Sequence, residues 1–197
     1  MIKMMMAQIN VTVGDIENNA KKIGAIITKA QADAIDLLIF PELALTGYIP
    51  QDLLCRQDFQ DAILQAIENL LLSIDEMHVV LGTAYPADNR LYNSALLLHK
   101  HKIVQRYDKS ILANGGIFDE KRYFQPGHTQ NTLVYESLNH LSPCGRGLPA
   151  GQGEGYAQNC FTIQGHIFAL LICEDLWHEG PLDALRNNPS LAGIIAI

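Results

Sequence analysis

Three residues of complementary chemistry occupy similar places in this sequence, each just beyond an apolar run. Glu42 follows LLIFP, Lys109 follows IVQRYD and Cys173 follows HIFALLI. In α/β sheets the carboxyl ends of strands are where ligands bind. A thiol there can attack a carbonyl, a carboxylate can carry the proton, and an ammonium can stabilise an oxyanion. Singly, each has an ordinary reading: Glu42 as a turn residue beside Pro41, Lys109 as a solvated charge, Cys173 as a buried structural thiol. The combination is more specific than its parts.

The elements that must position these residues are legible in the hydrophobic pattern. Met4 to Val11 reads as a buried strand, and Asp15 is placed to cap the helix that follows. On that helix Ala20, Ile23, Ile27, Ala30 and Ala34 form one apolar face. Ile35 to Phe40 is a short continuous apolar run stopped by Pro41, which suits a strand buried on both faces. Phe59, Ile63, Ile67, Leu70, Leu71 and Ile74 mark a second helix. Strands are expected at His78–Tyr85, Leu91–Leu98 and Lys102–Tyr107, the last two flanking HKHK, a hairpin turn without Asn-Gly chemistry. Ser110 to Thr129 reads as a long structured loop, and Thr132 to Tyr135 as a short strand. Cys160–Ile163 and His166–Cys173 pair around Gln164-Gly165, a helical stretch covers Leu182 to Asn187, and Gly193–Ile197 opens a last strand. Early alternation of strand and helix, followed by hairpins, points to an α/β sandwich with a mixed sheet.

Composition narrows the function classes. The chain has 197 residues, a net charge of −7, 48% hydrophobic and 18% charged residues, which is globular rather than disordered. An acidic balance argues against a nucleic-acid or anionic-membrane partner. No apolar run has the length of a membrane span, and the start lacks a signal-peptide pattern, so the expectation is a cytoplasmic protein. His99-Lys100-His101-Lys102 reads as a solvated hairpin tip. The four cysteines (Cys55, Cys144, Cys160 and Cys173) show no CxxC spacing, and no metal site is expected. Ser137 to Gln158 is rich in Gly and Pro but lacks the GxxxxGK[ST] pattern of a phosphate loop.

Local sequence around the three residues resembles the nitrilase, or carbon–nitrogen hydrolase, superfamily. FPELALTGY (Phe40 to Tyr48) looks like its glutamate motif, RYDKSILANGGIFDEKRYF (Arg106 to Phe124) like its lysine motif, and LLICEDLW (Leu170 to Trp177) like its cysteine motif. The opening AQINVTVGDIENNA, the segment Tyr48 to Leu54, FDEKRYF and ICEDLW are similar, more narrowly, to glutaminase domains of glutamine-dependent NAD synthetases.

The resemblance implies a nitrilase-like αββα sandwich with Cys173 as nucleophile on the glutamine side-chain amide, Glu42 as general base and Lys109 as stabiliser of the tetrahedral intermediate. Glu120 matches a second, orienting glutamate, and a backbone N–H near Glu174 would assist the oxyanion. Tyr48 and Phe118 are candidate walls of the substrate pocket. The glutaminase chemistry would need no cofactor. Ammonia would pass to a C-terminal synthetase domain that uses ATP and Mg to amidate deamido-NAD, and the family commonly forms homo-oligomers. Two departures stand out. Gly115 replaces a tyrosine usual in the related synthetases, and residues 137–158 look like a Gly-rich insertion. The sequence also stops in the apolar run GIIAI and has no SGGxDS-like motif. Residues 1–197 are therefore expected to be a partial glutaminase domain, incomplete at the C-terminus, with the synthetase domain absent. The alternatives are a nitrilase-fold amidase for another small amide or carbamoyl compound, and an inactive truncated remnant.

Overall fold

A computed structural model describes residues 1–127, 159–186 and 191–197 of the chain. The expected strand at Thr132–Tyr135 and the segment 137–158 lie outside them.

Five strands form the first sheet in the order β1 (Met4–Met6), β2 (Leu37–Ile39), β3 (His78–Ala87), β4 (Arg90–His99) and β5 (Lys102–Asp108). β1, β2 and β3 run parallel, whereas β3–β4 and β4–β5 are antiparallel, as the mixed pattern of helices and hairpins requires. Two helices, α1 (Ile16–Ala32) and α2 (Gln57–Leu71), cover one face. Asp15 caps α1 by accepting from the Asn18 amide, and Ile23, Ile27 and Ala30 turn inward with no exposure. These meet Ile63, Ile67 and Leu70 of α2 and Leu38, Val79 and Leu81 of the sheet in one apolar cluster. Burying a side chain such as Ile27 or Ile63 contributes roughly 1.5–3 kcal/mol over leaving it exposed.

The other face of that sheet meets a second one, ordered β10 (Leu191–Ala196), β9 (His166–Leu171), β8 (Cys160–Ile163). Ile39, Val80, Ala95, Leu97 and Tyr107 pack there against Phe161, Phe168, Leu170 and Ile195. Helix α3 (Glu179–Arg186) joins the same cluster through Leu182 and Leu185. The layers are thus helix, sheet, sheet, with both sheets aimed at the interface where β5 and β9 end.

Three expectations need correction. The buried strand over Met4–Val11 is an edge strand of three residues, with Met4 and Met6 exposed, because β2 is its one neighbour in the sheet among the described residues. The segment 110–129 contains a small hairpin, β6 (Asn114–Gly115) with β7 (Phe118–Asp119), and a 3-10 turn at Glu120–Arg122. The β9 strand stops at Leu171, and Cys173 opens a 3-10 turn running to Trp177. In the β4–β5 hairpin, Lys100 and His101 take the left-handed conformation that such turns require, with φ of 49° and 60°. Their amides donate to the carbonyls of Asp75 and Ile74, so the α2–β3 connection holds a turn its own sequence does not favour.

Candidate active site

Glu42 sits in the turn after β2. The Phe40 amide donates to the Val80 carbonyl, carrying the chain one step along β3 before it turns. Gly82 makes the turn feasible, since a Cβ there would lie 2.2 Å from the Pro41 carbonyl oxygen and 2.7 Å from the Glu42 Cα. Leu43 follows with φ of 49°, an uncommon conformation for a residue with a side chain.

Lys109 follows β5, and its amide donates to the Asn93 carbonyl in β4. Gly127 closes over this backbone: its amide donates to the Lys109 carbonyl, and a Cβ on it would lie 2.2 Å from the Asp108 carbonyl oxygen. The Lys109 side chain has no exposure, and its Nζ donates to Glu42 Oε1 at 2.8 Å and to Glu120 Oε1 at 2.9 Å. Burial works against the lysine charge, but the two carboxylates outweigh it and hold the ammonium above the ordinary lysine range. Glu120 is equally buried and accepts from the Ala113 amide at 2.9 Å, while its own amide donates to the Ala113 carbonyl.

Cys173 enters from the second sheet. It is half-buried, has φ of 43°, and donates its amide to the Ile197 carbonyl beside β10. Burial pushes the thiol above its ordinary range; the charge of Glu42 and a hydrogen bond to it push the same way, and Lys109 pulls back more weakly. Desolvation and the carboxylate outweigh the lysine, so the resting sulfur favours the protonated form.

Of the residues singled out in the sequence, Glu42, Lys109, Glu120 and Cys173 are brought together. Tyr48 borders them, with its hydroxyl 3.4 Å from Glu120 Oε1; burial and the nearby carboxylates raise its pKa. Its ring lies 6.3 Å from that of Phe118 in a tilted pair. The Glu174 side chain turns away toward His178 Nε2 at 3.2 Å. At Gly115 a Cβ would meet nothing within 4 Å, so the position without its expected tyrosine borders open space. Cys55 is exposed and Cys160 buried, while Cys144 lies outside the described residues. Among the described residues, no group of three or more His, Cys, Asp and Glu could hold a metal ion. No helix among them is long and apolar enough to cross a membrane.

Asp175 has a role that composition did not disclose. It is fully buried, and its carboxylate accepts from the amides of Ser110 at 3.1 Å, Ile111 at 2.8 Å and Ile172 at 3.3 Å, and from the Tyr107 hydroxyl at 2.8 Å. Burial pushes this carboxyl above the usual range, against the pull of those hydrogen bonds. One side chain thereby ties the segment after Lys109 to the turn that opens with Cys173. Its signal in the sequence is a carboxylate two residues past a candidate nucleophile at the end of an apolar strand.

A two-sheet α/β sandwich carrying a buried carboxylate–lysine–carboxylate chain beside a thiol defines a class of cysteine-bearing α/β proteins. A family profile for carbon–nitrogen hydrolases matches residues 5–188, and the chain belongs to that family. It is 33% identical over 182 residues to a glutamine-dependent NAD(+) synthetase of Xylella fastidiosa, a match covering 92% of this chain and 29% of that protein. A synthetase of the same name from Aquifex aeolicus is 28% identical over 194 residues, covering 98% and 29%. The chain thus spans under a third of the length of the curated relatives it matches. Among solved structures, a glutamine-dependent NAD+ synthetase from Acinetobacter baumannii superposes with a TM-score of 0.79 at 28% identity, covering 100% of this chain and 32% of that one. An amidase from Nesterenkonia sp. superposes with a TM-score of 0.70 at 18% identity, covering 99% and 64%, and shares the fold. The fold is nitrilase-like.

Proposed function

We propose that the chain is a glutaminase part that hydrolyses the side-chain amide of glutamine, releasing glutamate and ammonia. Cys173 Sγ attacks the amide carbon as Glu42 takes the thiol proton. Lys109 and the backbone amide of Glu174 stabilise the resulting oxyanion. Glu42 returns the proton to the departing nitrogen, ammonia leaves, and a thioester remains on Cys173. Glu42 then removes a proton from water as it attacks the thioester, and the released thiol recovers its proton. Glu120 holds Lys109 in place, and Tyr48 and Phe118 wall the pocket. This chemistry needs no cofactor.

The observation that carries the reading is the lysine bridging two carboxylates at 2.8 and 2.9 Å beside a thiol on a strained backbone. Similarity to glutamine-dependent NAD(+) synthetases supplies the substrate. In a longer polypeptide the ammonia would serve a synthetase portion that uses ATP and Mg to convert deamido-NAD to NAD. No ATP-dependent step is assigned to the residues described.

A second reading, an amidase for another small amide or carbamoyl compound, is favoured by Gly115, where the related synthetases carry a tyrosine and this chain has open space. Exposure to an electrophilic glutamine analogue, followed by peptide mapping, separates the two. Glutamine-protected labelling of Cys173 alone is expected. Labelling that another small amide blocks and glutamine does not would transfer the site to the second reading. Cys173→Ala is expected to abolish ammonia release in a folded chain, and undiminished release would sink the assignment of the nucleophile.

A further inference from the structure

β4 is apolar along most of its length, and its inward side carries Ala95 and Leu97 into the core between the sheets. Asn93 interrupts that pattern. It is 1% exposed, and its Nδ2 donates to Glu42 Oε1 at 2.7 Å. The same oxygen accepts from Lys109 Nζ at 2.8 Å. Among the described residues, its amide oxygen is buried without a hydrogen-bond partner. An orphaned acceptor in a core is unfavourable, so packing alone gives no reason for an asparagine here. Exchanging the oxygen and nitrogen of the amide would set a carbonyl against the Glu42 carboxylate, so electrostatics fixes the orientation. The Asn93 backbone carbonyl also receives the Lys109 amide, which places Asn93 in contact with both partners of the ion pair.

We propose that Asn93 is a positioning residue, whose amide pins one oxygen of Glu42 and so presents the other to Cys173. Two donors on Oε1 fix the carboxylate plane. Oε2 is then the oxygen that takes the thiol proton and later the proton of water. The inference rests on the reading of Glu42 as the base.

The test compares the chain with Asn93→Leu, which keeps the bulk and removes the donor. The circular-dichroism melt is expected to be retained, since the orphaned oxygen leaves with the donor. Glutamine turnover is expected to fall about tenfold to a hundredfold in kcat, the worth of one hydrogen bond to a charged group, with KM within about twofold. A purely structural role would not move a second readout, the pH dependence of Cys173 alkylation by iodoacetamide. Glu42, Glu120 and Lys109 are the charged groups acting on this thiol, and Glu42 raises it. Without the pin the Glu42 carboxylate is expected to swing away from the sulfur, and its smaller effect there to displace the alkylation midpoint to lower pH. An unmoved midpoint in a folded variant, or an unchanged kcat, overturns the proposal and leaves Asn93 a packing residue. Should the leucine variant not fold, Asn93→Ala is read by the same criteria. Absence of glutamine hydrolysis in the unsubstituted chain would defeat the proposed substrate, whereas the alkylation comparison would still decide the role of Asn93.

Discussion

The two halves of the site are built in different ways. Glu42, Lys109 and Glu120 stand on the five-stranded sheet and its following turns, where each is held several times over. Gly82 and Gly127 allow backbone contact that a side chain would forbid, the Ala113–Glu120 pair closes in both directions, and the lysine is locked between two carboxylates. Cys173 stands on the three-stranded sheet, with a positive φ and an amide bond to Ile197. Its tie to the lysine half runs through Asp175. The carboxylate–lysine half is thus held firmly in itself. Cys173 is tied to it by the buried carboxylate of Asp175 and by the apolar contact between the sheets, and left-handed backbone occurs beside both halves, at Leu43 and at Cys173.

The largest effect should come from breaking the carboxylate–lysine half at its centre. Lys109→Met leaves Glu42 and Glu120 facing each other without a cation, one of them fully buried. Urea denaturation is expected to show a loss of about 3–5 kcal/mol, the usual result of stranding a buried charge, together with loss of turnover. Adding Glu120→Gln should recover part of the stability and none of the activity. If the single substitution left stability intact, the lysine would not be the organising charge of that half.

Asp175→Ala attacks the tie instead. It strands three amides, each buried or partly buried, at about 1–3 kcal/mol apiece before any relaxation or rehydration, and leaves the Tyr107 hydroxyl with Ser110 Oγ as its partner. Hydrogen exchange should rise at Ser110, Ile111 and residues 172–177 while β2–β4 stay protected. Exchange rising evenly across both sheets would show that the carboxylate supports the whole fold rather than the junction. Gly82→Ala is milder in stability, about 1–3 kcal/mol from overpacking. Because the new methyl group meets the backbone of Pro41 and Glu42, activity should suffer more than the melt. Equal losses in both would place the strain elsewhere than at Glu42.

The same contrast explains what the sequence made legible. Glu42, Lys109 and Cys173 were readable because each follows a strand, and strand ends are where an α/β fold presents chemistry. Asn93 was not, because inside LYNSALLL nothing local separates an inward polar residue from a solvent-facing one; its significance depends on Glu42 arriving from 51 positions away. Asp175 stands two residues past Cys173, but its partners on 107–111 come from the other sheet. The edge position of β1 was likewise invisible, since a strand's burial depends on its neighbours as well as on its own composition. The α/β sandwich with a mixed sheet was legible, because alternating apolar runs and helical faces are local signals that tertiary contacts here reinforced; its nitrilase-like character came from the resemblance of the three motifs.

The smallest expected effect discriminates most finely between the halves. Burial first, and then the Glu42 charge, hold the Cys173 thiol above its ordinary range. Glu42→Gln removes the charge and retains the volume, so the alkylation midpoint should move to lower pH, by about one unit if the charge is worth on the order of 1.4 kcal/mol. The sulfur then becomes a thiolate more readily at neutral pH, and alkylation there should accelerate. Amide hydrolysis should nevertheless collapse, because the departing nitrogen and the attacking water have lost the group that exchanges protons with them. Opposite signs in the two assays would show that Glu42 serves as a proton carrier, and not as a device for making thiolate. If alkylation and hydrolysis fell together, the carboxylate would instead be activating the sulfur directly. The division of labour between the two sheets would then have to be redrawn.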